Sequence, residues 1–155
     1  VSTGPGGFTG LRVAVTAAKF IAEGCGAACV GVASASVVAR RVRAEGRVGI
    51  ALASKGEAAF VTVFEGGREI IAGASMTAEG LGALGIATLV GDRFLPEAML
   101  RWAAQHGAVV IAPVFDPIAC LEASASVEPV DAAKLNPLYA REPEAVTKWR
   151  QLHPR

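Results

Sequence analysis

Four glycines and one proline fall within the seven residues Gly4-Pro5-Gly6-Gly7-Phe8-Thr9-Gly10, and the pattern then turns helical. Glycine accepts backbone angles closed to other residues, so this stretch reads as a tight turn. The chain passes from a strand ending at Val1-Ser2-Thr3, through the turn at Gly4 to Gly7, into a helix from about Gly10 to Glu23. Thr9 or Thr3 is the expected cap, and Gly24 and Gly26 the expected stop.

The helix has too much apolar surface for one contact. Arg12, Thr16, Lys19 and Glu23 form one narrow polar stripe, and the rest of the circumference is apolar or small. A surface helix needs an apolar arc of only ~100°. This one should pack on two sides. Gly10, Ala14, Ala17 and Ile21 are expected to face the sheet. One flank, Val13 with Phe20, is expected to meet a second subunit, with Arg12, Thr16 and Lys19 as its polar rim. The other flank is Leu11 with Val15, Ala18 and Ala22.

A glycine turn at a helix N-terminus can also cradle a phosphate, which makes Gly4, Gly6, Gly7, Thr9 and Gly10 candidates for phosphate approach. The stretch is neither a Walker A motif nor a GxGxxG fingerprint, and a turn that only redirects the chain explains the glycines equally well.

Gly-Pro-Gly-Gly-Phe-Thr-Gly-Leu-Arg, followed by an alanine-rich helix with Ala18-Lys19, resembles the signature of the TsaB (YeaZ) family. The likeness continues through Val30-Gly31-Val32-Ala33-Ser34. It returns in Pro137-Leu138-Tyr139-Ala140-Arg141-Glu142-Pro143-Glu144-Ala145. The resemblance implies an α/β, RNase-H-like and actin-like two-lobed fold. Residues 1–47 would be the remainder of an incomplete first lobe, and 48–155 a second α/β lobe with a C-terminal tail. Family members carry an opening third before the glycine turn that this sequence does not contain, so the chain reads as truncated or as a shortened member. The implied function is that of a non-catalytic partner of a TsaD-type catalytic subunit. It would support threonylcarbamoyl transfer to the adenosine next to the tRNA anticodon, with a TsaE-type ATPase in the complex. A homodimer in isolation is the alternative pairing. No cofactor is implied. The rival readings are a metallopeptidase, a sugar-kinase-like phosphotransferase of the same superfamily, or a self-associating remnant without a tRNA role.

The residues bear on these rivals. The catalytic paralogue, TsaD, carries paired histidines on the helix corresponding to Val32 to Ala39, and this stretch has none. His106 and His153 lie far apart and read as helix-end or tail residues. No HExxH motif and no nucleophile–base arrangement stands out. Ser34, Ser36, Ser54 and Ser75 read as caps and turn residues, and Asp92 and Asp116 as strand-end carboxylates. The sequence departs from the family pattern in two places: Phe20 stands where a small residue is common, and Leu52 to Glu57 replaces a familiar Asp-Ala-Arg-Lys-Gly-Glu, so that its acid and arginine are gone.

The 155 residues are 52% hydrophobic, enough for a core. The net charge of +1 gives no broad basic field for autonomous nucleic-acid binding. The apolar runs are shorter than the ~20 residues of a spanning helix, and a cytoplasmic, non-membrane protein is expected. Cys25, Cys29 and Cys120 read as buried free thiols. A short buried strand is expected over Ala27 to Ala33, and a helix from Ser34 or Ser36 to about Glu45 that places Arg40, Arg43 and Arg47 on one face with Arg41 beside them, a run that reads as a solvated face or as a tRNA- or partner-facing patch. Strands follow at Val48–Ala53, Ala58–Glu65 and Arg68–Ala74, with turns at Gly56 and Gly66-Gly67. Next come a strand at Thr88–Val90, a helix at Leu95–His106, a buried strand at Val109–Ala112 and a helix at Pro117–Ala125. The tail from Glu128 is expected to wrap the surface.

Overall fold

In the computed structural model a three-residue strand, β1 (Ser2–Gly4), turns at once into the long helix α1 (Phe8–Cys25). The structure describes residues 1–141 and 144–153; positions 142 and 143 of the C-terminal motif lie outside the described residues. The turn requires glycine at position 4. Its φ is 110°, and a Cβ there would sit 2.6 Å from the Leu138 carbonyl oxygen. No threonine caps α1: Gly7 holds the cap position and no side chain bonds the first turn. Thr3 instead donates its hydroxyl to the Val32 carbonyl at 3.2 Å. Gly26, at φ 64°, closes the helix, whereas Gly24 lies within it.

Strand β2 (Val32–Ala33) runs parallel to β1, and α2 (Ser34–Ala39) follows directly. Both are shorter than expected. Cys29, placed by the sequence in the strand, makes an isolated bridge to Val130 in the tail. The helix stops at Ala39, so Arg40, Arg43 and Arg47 share no helical face; Arg47 opens the next strand. Ala33, not a serine, holds the cap position of α2, and Ser34 Oγ lies 2.8 Å from Ser2 Oγ.

The antiparallel meander forms as expected: β3 (Arg47–Lys55), β4 (Ala58–Glu65) and β5 (Arg68–Met76). Its turns fall at Gly56 and at Gly66-Gly67, all with positive φ. A one-turn helix α3 (Ala78–Leu81) leads to β6 (Ile86–Gly91), which returns parallel to β3. Then come α4 (Glu97–His106), β7 (Val109–Ile111), parallel to β6, and α5 (Pro117–Ser124). The sheet order is β5-β4-β3-β6-β7. A 3-10 turn (Ala132–Lys134) and α6 (Glu144–Leu152) follow; the sequence pattern anticipates neither α3 nor α6.

Side chains alternate across the five-stranded sheet, and both faces are covered. Val48, Ile50 and Leu52 of β3 join Phe64 and Val90 against Ala35 and Val38 of α2. On the other face Ala51, Val61, Val63 and Leu89 meet Leu81 of α3 and Met99, Trp102 and Ala103 of α4. Each fully buried Val, Leu or Ile contributes about 1.5–3 kcal/mol. β7 departs from expectation. It is an edge strand, which leaves Val109 60% exposed and Val110 40%.

The unit β1–α1–β2–α2 repeats the order of β6–α4–β7–α5, and each long helix ends on a left-handed glycine, Gly26 or Gly107. The two units meet through their second helices. Val32 and Val37 pack on Ala119 and Ala123 of α5. Arg41, just past α2, ties this joint: its guanidinium donates to Glu122 at 2.8 and 3.1 Å and to Asp116.

The orientation of α1 corrects the sequence reading. Gly10, Ala14, Ala17 and Ile21, expected to face the sheet, are all exposed. Val15 and Ala22 are the buried positions, and they pack on Cys29, Ala132 and Leu135. The tail is thus more than a wrap, because Leu135 is a core residue at 3% exposure. Cys29 is buried, but Cys25 is exposed and Cys120 half-buried; all three thiols are free.

Candidate functional site

The carboxyl ends of β1, β3 and β6 point to one place, where open α/β sheets commonly take ligands. A cleft of about 840 Å³ lies there. Gly6, Gly7, Phe8 and Arg12 form one wall, Leu52 to Lys55 another, with Asp92, Phe94 and Phe115 beside them. Tyr139, Ala140 and Arg141 of the tail close the third side. Three segments far apart in sequence therefore share one cavity: the glycine turn, the hairpin that departs from the family pattern, and the C-terminal motif.

Local folding explains each wall. Leu138 donates its N–H to the Thr3 carbonyl at 2.7 Å, which brings Tyr139 over the turn. The Tyr139 ring stacks on Phe8 with centroids 5.0 Å apart, and the Arg12 guanidinium lies 5.3 Å from the Phe8 centroid on top of it. In the hairpin the β3–β4 register shifts between Leu52 and Lys55, and Ala53 adopts φ 52°, uncommon outside glycine. Ser54, expected as a turn residue, has a shielded hydroxyl oxygen with no hydrogen-bond partner. Asp92 accepts from the Phe94 N–H at 2.9 Å. Asp116 caps α5, accepting from Ile118 N–H at 2.8 Å, and follows the wall residue Phe115 directly. The Arg41 guanidinium holds the carboxyls of Asp116 and Glu122 below the usual carboxylate range, and the two acids raise the arginine in turn.

The glycine-turn candidates divide. Gly6 and Gly7 line the cleft; Gly4 is buried beneath it; Thr9 and Gly10 are exposed on α1 away from its lining. Of the α1 candidates, Arg12, Val13, Thr16, Phe20 and Glu23 are exposed, with Val13 at 64% and Phe20 at 75%. Lys19 is half-buried and donates to the Ala133 carbonyl at 3.2 Å, so it serves the tail as well as the rim. The flank of Leu11, Val15, Ala18 and Ala22 is turned inward. The cleft roles of Tyr139, Arg141 and Phe115 escape the residue pattern; the C-terminal motif marked the first two without assigning them a place. His106 and His153 are helix-end residues, each with Nδ1 against the carbonyl one turn back. Among the described residues no group of three His, Cys, Asp or Glu could hold a metal ion, and no helix is long and apolar enough to cross a membrane.

The family model for TsaD, tRNA N6-adenosine threonylcarbamoyltransferase, matches residues 1–142. The chain belongs to this family. Its fold is similar to a Pseudomonas aeruginosa crystal structure of an uncharacterized protein with similarity to peptidase YeaZ. That match has a TM-score of 0.65 and 19% identity and covers 90% of this chain and 71% of the other. It is also similar to YeaZ from Pseudomonas aeruginosa, with a TM-score of 0.63 and 18% identity over 89% of this chain and 71% of that one. These neighbours have the actin-like fold, and at such identities they speak for the fold alone. No curated protein matches. Within the family the chain has a YeaZ-like fold.

Proposed function

We propose that this chain is a non-catalytic partner subunit. It docks on a TsaD-type catalytic subunit through the outer face of α1 and supports threonylcarbamoyl transfer to the adenosine beside the tRNA anticodon, with a TsaE-type ATPase completing the set. The observation that carries the reading is the exposed apolar face of α1. Val13, Phe20 and Ile21 stand 64%, 75% and 69% exposed beside the small residues Gly10, Ala14 and Ala17, while the helix's opposite face is already packed. Large side chains flanking a small-residue groove suit close helix-on-helix packing, and an aromatic supplies the anchor. The family match supports the reaction class, and the histidine-free stretch Val32 to Ala39 supports a non-catalytic share in it.

The experiment is Phe20→Asp, read by pull-down with a TsaD-type subunit and by light scattering. The substitution lies on an exposed position and should leave folding intact while abolishing capture. Capture equal to the parent would refute docking through this face. In isolation the same face would pair two copies of the chain, and the mutation would then yield monomers.

A further inference from the structure

The cleft and the exposed face of α1 are continuous through Arg12, which lines the cleft and stands on the rim of that face. The cleft is built for negative charge. The eighteen-residue helix α1 points its N-terminus there with no capping side chain and no acidic residue in its first turn. Its first N–H groups therefore carry the positive end of the helix dipole without a partner from a cap. Arg12 and Arg141 face the same space from two different segments, against one lining acid, Asp92.

We propose that this cleft receives an acidic segment of the protein that docks on α1, with a carboxylate seated between Arg12, Arg141 and the N-terminal N–H groups of α1. The inference rests on the docking reading above and names the chemistry that the partner must bring. A protein segment is favoured over RNA because the surface continuous with the cleft is the apolar stripe of Val13, Phe20 and Ile21, and because the net charge of +1 offers no broad basic field. Apolar contact would supply the anchor, and the charges would set orientation and association rate.

The test measures the affinity of the full chain for a TsaD-type subunit from the same genome, at about 50 mM and about 300 mM salt, where screening differs strongly. Arg141 lies off α1, so Arg141→Glu probes the cleft alone. It should weaken binding about tenfold at low salt and flatten the salt dependence, while Arg141→Lys retains most of the affinity. Arg12→Glu should act in the same direction. If Phe20→Asp abolishes binding while both charge reversals bind like the parent at both salts, the cleft inference is overturned and the docking reading stands. If Phe20→Asp binds like the parent, the docking reading fails and this inference with it. ATP, ADP or a short RNA binding the isolated chain at micromolar Kd, with loss in Arg141→Glu, would show a phosphate as the occupant and overturn it too.

Discussion

Phe8, the first residue of α1, stacks on Tyr139 of the C-terminal tail with ring centroids 5.0 Å apart and planes inclined by 29°. One residue earlier, Leu138 N–H bonds the Thr3 carbonyl at 2.7 Å. The two contacts hold the tail across the glycine turn and so build one wall of the cleft. An aromatic pair contributes about 0.5–1.5 kcal/mol beyond its buried area. Tyr139→Ala should lower the unfolding midpoint slightly and speed hydrogen exchange at the Leu138 amide. Unchanged exchange there would mean that the tail is held without the stack.

Truncation should cost far more on the packed side of α1 than on its exposed side. Leu135, at 3% exposure, fills the space between α1 and Gly31, where an added Cβ would lie 2.9 Å from its Cδ1. Leu135→Ala should cost about 2–5 kcal/mol in urea unfolding. Phe20→Ala, at 75% exposure, should stay within about 0.5 kcal/mol of the parent. Equal losses at the two sites would contradict the observed orientation of the helix.

The Arg41 joint predicts a pH dependence. Asp116 and Glu122 have lowered values in the folded chain, so the unfolded chain binds their protons more tightly. Their stabilisation is complete above the unfolded carboxylate values of about 4 and is lost as pH falls through the lower folded values. Arg41→Gln should therefore lower the melting midpoint by a constant amount between about pH 5 and 8, and the gap to the parent should close below about pH 4. High salt should narrow it as well, since the groups are partly exposed. A gap that widens in acid would rule out the ion pairs as its source.

Purified chain supplied with divalent metals should show neither peptidase nor threonylcarbamoyl-transferase activity without a TsaD-type subunit. The stretch that the family resemblance sets against the paralogue's paired histidines is Val32 to Ala39; it forms β2 and α2, with Val32, Ala35, Val37 and Val38 buried. Turnover of either substrate by the isolated chain would overturn the non-catalytic reading.

Local rules carried the sequence a long way. The glycine turn, the helix after it, the meander with turns at Gly56 and Gly66-Gly67, and helices α4 and α5 were all legible, because turn chemistry and hydrophobic period are properties of neighbouring residues. The family signature added the fold class, since it recorded where such a chain goes as a whole.

What remained hidden depended on which segment packs on which. A helix apolar on most sides does not reveal its inner face; the tail chose Val15 and Ala22 by bringing Ala132 and Leu135 against them, and left Ile21 outside. The valines of β7 are apolar enough for a core strand, and only its place at the sheet edge exposes them. Arg41 reads as one charge in a solvated run until α5 brings Asp116 and Glu122 to it. The cleft is the largest such gap, because Arg12, Ser54 and Arg141 have no local relation and meet only through long-range packing. Residue type and spacing determined the elements and the family; the meeting of distant segments decided the buried faces, the ion-pair joint and the site.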